Sequence, residues 1–88
     1  MTRESEIEDY LKAQVESKGG EVRKLRWLGR RGAPDRLILL PLRHFLAELK
    51  RPKKRVEAHQ KREHQRLRNA RLQVYVIDSF DMVDEVLR

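Results

Sequence analysis

The sequence predicts an α/β fold, a mixed β-sheet flanked by helices with elements in the order α-β-β-β-α-β-α. Three observations lead to this reading. Segments with helical periodicity stand at the start, in the second half and at the end of the chain, and short β-compatible apolar runs lie between them. Glycine and proline clusters punctuate the boundaries. That order of helices and strands favours layers packed on one sheet, an α/β sandwich. With no repeat, linker or low-complexity segment, residues 1–88 read as one domain.

The elements follow in order. Residues 4–18 read as a helix, because Ile7, Leu11 and Val15 recur every four residues and acidic groups crowd the first turns, where the helix dipole favours them. Gly19 and Gly20 end it. The run 21–27 reads as a strand of poor alternation. Val22 shares a face with Lys24 and Arg26, or Leu25 and Trp27 share one with Arg23. Residues 28–34 (LGRRGAP) form a loop. Residues 35–40 and 44–50 are apolar runs joined by the short Pro41-Leu42-Arg43, which predicts a hairpin. A basic loop, 51–55, follows, and Pro52 stops the strand. Residues 57–70 read as a long, very polar helix. The nearly continuous apolar run 72–78 fits a strand covered on both faces. A closing helix from Phe80 to Leu87 is capped by Ser79 or Asp78, with Met82, Val83, Val86 and Leu87 inward.

Composition narrows the function. A chain this short buries only about 60–65% of its unfolded surface, so its core is thin and pairing with a second copy would add buried area. Hydrophobic residues make up 39% of the chain and charged residues 40%. Mean hydropathy is −0.82, and no apolar run approaches a membrane span. The N-terminal MTRESEIEDYLK has no apolar stretch typical of a signal peptide, which makes a cytoplasmic location the default expectation. There are no cysteines, which excludes disulfides and thiolate-bound metal. A net charge of +7 with a pI near 10.2 points to a polyanionic partner. No basic amphipathic helix with bulky apolar residues supports a membrane surface instead.

Three charged residues carry the chemistry. Asp35 opens an apolar strand and Glu48 closes the next one. Positions i and i+2 of a strand share a face, so Glu48 and Lys50 point one way and Leu49 the other. A tight antiparallel hairpin sets the start of one strand beside the end of its partner, which brings Asp35 next to Glu48 and Lys50. Adjacent carboxylates repel, and one takes up a proton unless a cation intervenes. Mg²⁺ is suited to that place, since it binds a few carboxylate oxygens, waters and a substrate phosphate. Such a cation activates water and offsets charge on phosphate oxygens, and a lysine can orient water or neutralise developing charge. Taken singly, a Glu-x-Lys pair is more often a solvated ion pair. The hairpin, the upstream Asp and the basic chain give the triad its weight.

The pattern Gly32-Ala33-Pro34-Asp35, then Glu48-Leu49-Lys50, then Gln60 on the following helix resembles the VRR-Nuc family of the PD-(D/E)xK nuclease superfamily. The similarity runs along nearly the whole chain. It implies a restriction-endonuclease-like core and Mg²⁺- or Mn²⁺-dependent, structure-selective cleavage of DNA. For small stand-alone phage and bacterial members it also implies a homodimer able to resolve four-way junctions. By position, Asp35 and Glu48 become metal ligands with the Leu49 backbone carbonyl, Lys50 the catalytic lysine, and Gln60 the helix-borne polar residue of the site. The family also places a glutamate on the first helix. Glu4 and Glu8 are the candidates, and Glu8 is preferred as nearer the packed part of the helix. The turn Pro41-Leu42-Arg43 lacks the glycine of many relatives, which leaves the hairpin register open.

Two basic runs bracket the carboxylates. Arg26, Arg30 and Arg31 precede Asp35, while Arg51, Lys53, Lys54 and Arg55 follow Lys50. They are expected to meet phosphates on either side of the cleaved bond and to position DNA without reading its sequence. Trp27 could stack on a base, although a core or dimer-interface role is favoured. His44, His59 and His64 lack the spacing of a zinc pair, so solvated or hydrogen-bonded roles are expected. Two further hypotheses stand beside the enzyme: a non-catalytic nucleic-acid-binding module, and a nuclease subunit that requires a partner protein.

Overall fold

The computed structural model describes residues 2–88. Its elements are α1 (Glu4–Ser17), β1 (Glu21–Lys24), β2 (Arg36–Leu40), β3 (Arg43–Leu49), α2 (Ala58–Asn69), β4 (Val74–Ile77) and α3 (Phe80–Val86). The order matches the sequence reading, and most boundaries fall within two residues of it. β1 is the exception, ending at Lys24 and not Trp27. The Leu25 amide still donates to the Asp35 carbonyl (2.9 Å) before the chain leaves the sheet. Further on, the Trp27 indole N–H donates to the Pro34 carbonyl (2.9 Å) and pins the intervening loop.

The sheet runs β1-β2-β3-β4, with the first three strands antiparallel and β4 parallel to β3. Leu40 pairs with Arg43, so the β2–β3 turn consists of Pro41 and Leu42 alone, and neither takes a positive φ. This fixes the register that the missing turn glycine had left open. β4 departs from the expectation of full coverage. It is an edge strand, and Tyr75 and Val76 are half-buried, because an edge position leaves one flank without a neighbour.

One face of the sheet carries the main core. Ile7, Leu11 and Val15 of α1 pack with Ile38, Phe45, Ala47, Leu49 and Ile77 of the sheet and with Val83, Val86 and Leu87. The four-residue spacing on α1 and the two-residue spacing on β3 thus meet in one apolar layer. Burying a side chain of this size contributes about 1.5–3 kcal/mol, several times the roughly 0–0.7 kcal/mol that separates ordinary residues in helix propensity. Tyr10 joins α1 to α3 through a 2.7 Å hydrogen bond to Asp84. Ser79 caps α3 by accepting from the Met82 amide (3.0 Å).

Strand alternation then decides which residues face the other way. Phe45, Ala47 and Leu49 belong to the core layer, so Leu46 and Glu48 project from the opposite face, toward α2. α2 is held to β4 by Arg68, whose guanidinium donates twice to the Val74 carbonyl (2.8 and 3.2 Å). On α2 only Glu63 and His64 are buried. A helix that buries two polar groups and no large apolar residue has its inner face shaped by chemistry more than by packing.

Candidate active site

The site lies where β3 ends. Extending the β2–β3 register one step beyond Arg36–Ala47 sets Asp35 opposite Glu48. The Leu49 amide reaches Asp35 Oδ1 at 3.4 Å, a long contact that keeps Asp35 at this strand end. Glu48 is only 5% exposed. Three side chains approach it: Lys50 Nζ stands 3.7 Å from Oε2, Gln60 Nε2 donates to Oε2 at 3.4 Å, and His64 Nε2 lies 3.9 Å from Oε1. Lys50 and Glu48 project to one side because they are two apart at a strand end. Gln60 and His64 reach them from one face of α2 because they are four apart on a helix.

Electrostatics mark Glu48 as the unusual group. Burial pushes its carboxyl up to about 7, and the charge of Asp35 pushes in the same direction. Lys50 and Arg36 pull it down, while Glu4 raises it further. A carboxylate held this way, among donors but beside a second acid, favours any cation that can share it. His64 is shifted downward, first by burial and then by Arg68 and Lys50. Among the described residues no group of three or more His, Cys, Asp or Glu side chains is placed to hold a metal ion. Asp35 and Glu48 are the two carboxylates brought together at this strand end, and oxygen donors of that kind suit a hard cation completing its shell with water and phosphate.

The two candidate glutamates of α1 part company. The Glu8 carboxylate is engaged by Arg36, whose Nε donates to Oε2 at 2.7 Å and whose Nη2 contacts the same oxygen. Arg36 also reaches Asp35, at 3.1 Å to its carbonyl and 3.3 Å to Oδ2. Glu4 is exposed and makes no such pair, yet its charge is felt at Glu48. Glu8 therefore stands behind Asp35 through an arginine, while Glu4 carries no such partner among the described residues and acts on Glu48 only through its charge.

The basic residues take several positions. Arg26, Arg31, Arg51, Lys53, Lys54 and Arg55 are exposed, while Arg30 lies 3.9 Å from the buried Glu63 carboxylate. The Lys54 amide donates to the Arg51 carbonyl (3.1 Å) with Lys53 at φ +68, a type II turn that presents its cations outward. Lys53, Lys54, Arg55 and Lys61 line one open groove of about 700 Å³. On the other side, Gly32 rests on α2. A Cβ there would come within 2.8 Å of His59 Cδ2 and 3.1 Å of the Gln60 Cα. The glycine at φ +82 thus lets the arginine loop lie against the helix that carries Gln60.

Three buried polar side chains around this strand end were not among the residues the sequence singled out for the site. His64, expected to be solvated or hydrogen-bonded, is 1% exposed, and its Nε2 has no partner. The signal was present, since His64 shares a helical face with Gln60. Arg36 is two residues before the core residue Ile38, so strand alternation alone would have turned it inward. Glu63 is buried beneath Arg30 and Arg66, and nothing in its sequence surroundings marks it.

No family model matches the chain. It is similar to "Putative nuclease p44" of Acyrthosiphon pisum secondary endosymbiont phage 1, with 41% identity over 83 residues that cover 93% of this chain and 89% of that protein. A solved structure described as a VRR_NUC domain shares 39% identity, covering 99% of this chain and 96% of its own, with a TM-score of 0.87. Likeness of this extent, in sequence and in the sheet that sets Asp35 across from Glu48, means that the chain belongs to the VRR-Nuc family of nucleases.

Proposed function

We propose that this nuclease is a divalent-metal-dependent endonuclease that hydrolyses phosphodiester bonds in DNA, and that residues 1–88 form one catalytic domain. The observation that carries the reading is the buried Glu48, raised toward neutrality beside Asp35 and approached by Lys50 and Gln60. Mg²⁺ or Mn²⁺ is the fitting ion, held by Asp35, Glu48 and the Leu49 carbonyl. When bound, it supplies positive charge at the scissile phosphate and lowers the pKa of water beside it.

The chain's own residues do the rest. Gln60 and Lys50 fix the Glu48 carboxylate, so it need not reorganise when the cation arrives. Lys50 Nζ, mostly enclosed, is placed to hold a proton or a phosphate oxygen as charge develops. Of the first-helix acids, Glu4 is the better candidate to face the cation, because Arg36 already occupies Glu8. Arg26, Arg30, Arg31, Arg51, Lys53, Lys54 and Arg55 bind the DNA backbone on either side, which suits recognition by shape. A branched substrate such as a four-way junction, cut by a homodimer, fits that mode of recognition.

Asp35 also has structural contacts, to Arg36 and to the Leu49 amide. They favour a second reading in which the acids only brace a nucleic-acid-binding module or a subunit that needs a partner. The deciding experiment digests a panel of four-way, flapped, nicked and linear DNAs with Mg²⁺ or Mn²⁺. Cutting by the wild type, and its loss by about 100-fold or more in Asp35→Ala and Glu48→Ala with DNA binding retained, supports the enzyme. A wild-type protein that binds these DNAs and cuts none supports the module.

A further inference from the structure

His64 is the polar group that the scheme above leaves unused. Its ring is 1% exposed, and Nε2 is enclosed with no hydrogen-bond partner. Interiors rarely leave such an atom unmatched. The atom facing it is Glu48 Oε1 at 3.9 Å, outside hydrogen-bond range. Glu48 Oε2 is already taken by Gln60 and flanked by Lys50, whereas among the described residues no donor reaches Oε1. An unmatched nitrogen and an unmatched carboxylate oxygen therefore confront each other across about 1 Å of slack relative to an ordinary hydrogen bond.

We propose that His64 is a positioning residue for Glu48: its Nε2–H and the Gln60 amide, one turn apart on α2, hold one carboxylate oxygen each. The carboxylate decides which ring nitrogen carries the proton. An Nε2 lone pair aimed at Oε1 would be repelled, so the hydrogen sits on Nε2 whether the ring is neutral or charged. Oε1 has a second lone pair, and filling the first with an N–H fixes the direction in which the second points. Partners of this kind around a metal-holding carboxylate typically account for 10- to 100-fold in affinity or rate. The effect on metal rests on the nuclease reading above; the hydrogen bond does not.

The test has two arms on the full chain. In the first, long-range ¹H–¹⁵N NMR of the metal-free protein reads the His64 ring. An Nε2–H tautomer whose nitrogen shifts move in Glu48→Gln is expected; an Nδ1–H tautomer, or shifts indifferent to Glu48→Gln, overturns the proposal. In the second, Mn²⁺ binding is measured without DNA by water-proton relaxation. His64→Phe, which keeps the bulk, is expected to weaken Mn²⁺ by about 10- to 100-fold with DNA affinity unchanged. His64→Gln, whose amide reaches a similar place, is expected to recover most of it. Unaltered Mn²⁺ binding in His64→Phe overturns the proposal, as does electron-spin-echo evidence of a His64 nitrogen bonded directly to Mn²⁺. Should His64→Phe fail to fold, His64→Gln and the NMR arm still decide. A wild type that neither binds Mn²⁺ nor cuts DNA removes the nuclease reading, and the tautomer still tells whether His64 holds Glu48.

Discussion

At the scale of single residues, Glu48 and the acids around it behave differently in ways that can be measured. The Glu48 carboxyl has an ordinary value of 4.5 and stands at about 7 in the folded chain. Between those values the folded state holds more protons than the unfolded one. The stability of the metal-free protein should therefore fall as pH rises from about 4.5 to about 7 and change little from this group beyond. The full span is worth at most roughly 3 kcal/mol. Glu48→Gln should lose that slope and melt higher than the wild type at pH 8, as urea titrations at several pH values would read. The same logic separates the two glutamates of α1. Glu8→Gln breaks a largely buried pair with Arg36 and should cost about 2–4 kcal/mol of stability. Glu4→Gln should leave the melting temperature nearly unchanged and weaken Mn²⁺ binding. If Glu8→Gln instead leaves stability untouched and abolishes metal binding, the assignment of Glu4 is wrong.

Elements matter here through where they stop. β1 ends at Lys24, which frees the chain to build the loop that Trp27 ties to Pro34 and that Gly32 lays on α2. β3 ends at Leu49, which leaves Glu48 as its last side chain on the α2 face. α2 buries no large hydrophobic residue, so its position depends on Arg68, Gln60, His64 and this loop. Gly32→Ala tests that dependence. It places a Cβ against His59 and the Gln60 backbone at a positive φ, and it should destabilise the fold by roughly 1–3 kcal/mol. Cleavage should fall by more than the unfolded fraction explains, because the helix bearing Gln60 is displaced. Equal activity per folded molecule would show that the loop does not set the helix.

For the whole molecule, shape and charge bear on partners. The accessible surface is 6266 Å², against roughly 5,500 Å² for a typical folded monomer of this mass. Leu28 and Leu42 are 89% and 99% exposed. An excess of surface on a thin core gives a second copy something to cover, in line with the proposed homodimer. Scattering or ultracentrifugation at working concentration reads this directly, and a monomer there counts against it. The seven excess positive charges should make DNA affinity fall steeply with salt, by about 0.9 in log affinity per log salt for each phosphate contact. Reversing Lys53, Lys54 and Arg55 to glutamate should flatten that slope by about 3. An unchanged slope would move the DNA off this loop. Among the described residues no helix is long and apolar enough to cross a membrane.

The amino-acid order was enough for the elements, their sequence and the nearness of Asp35 to Glu48, because those depend on short-range periodicity and on one hairpin, while the exact register of that hairpin came from the structure. Glu48 and Lys50 share a side for the same reason, their spacing of two at a strand end, whereas Gln60 was singled out only by the family resemblance. What the tertiary structure decided is which groups from distant segments share the site. Arg36 turns toward α1 and captures Glu8, 28 positions away in the chain. His64 is enclosed beside Glu48, one helical turn from Gln60 on α2. Periodicity tells which face of its own element a side chain occupies, whereas partners across a core depend on how rigid elements dock, and docking is a property of the whole packed chain.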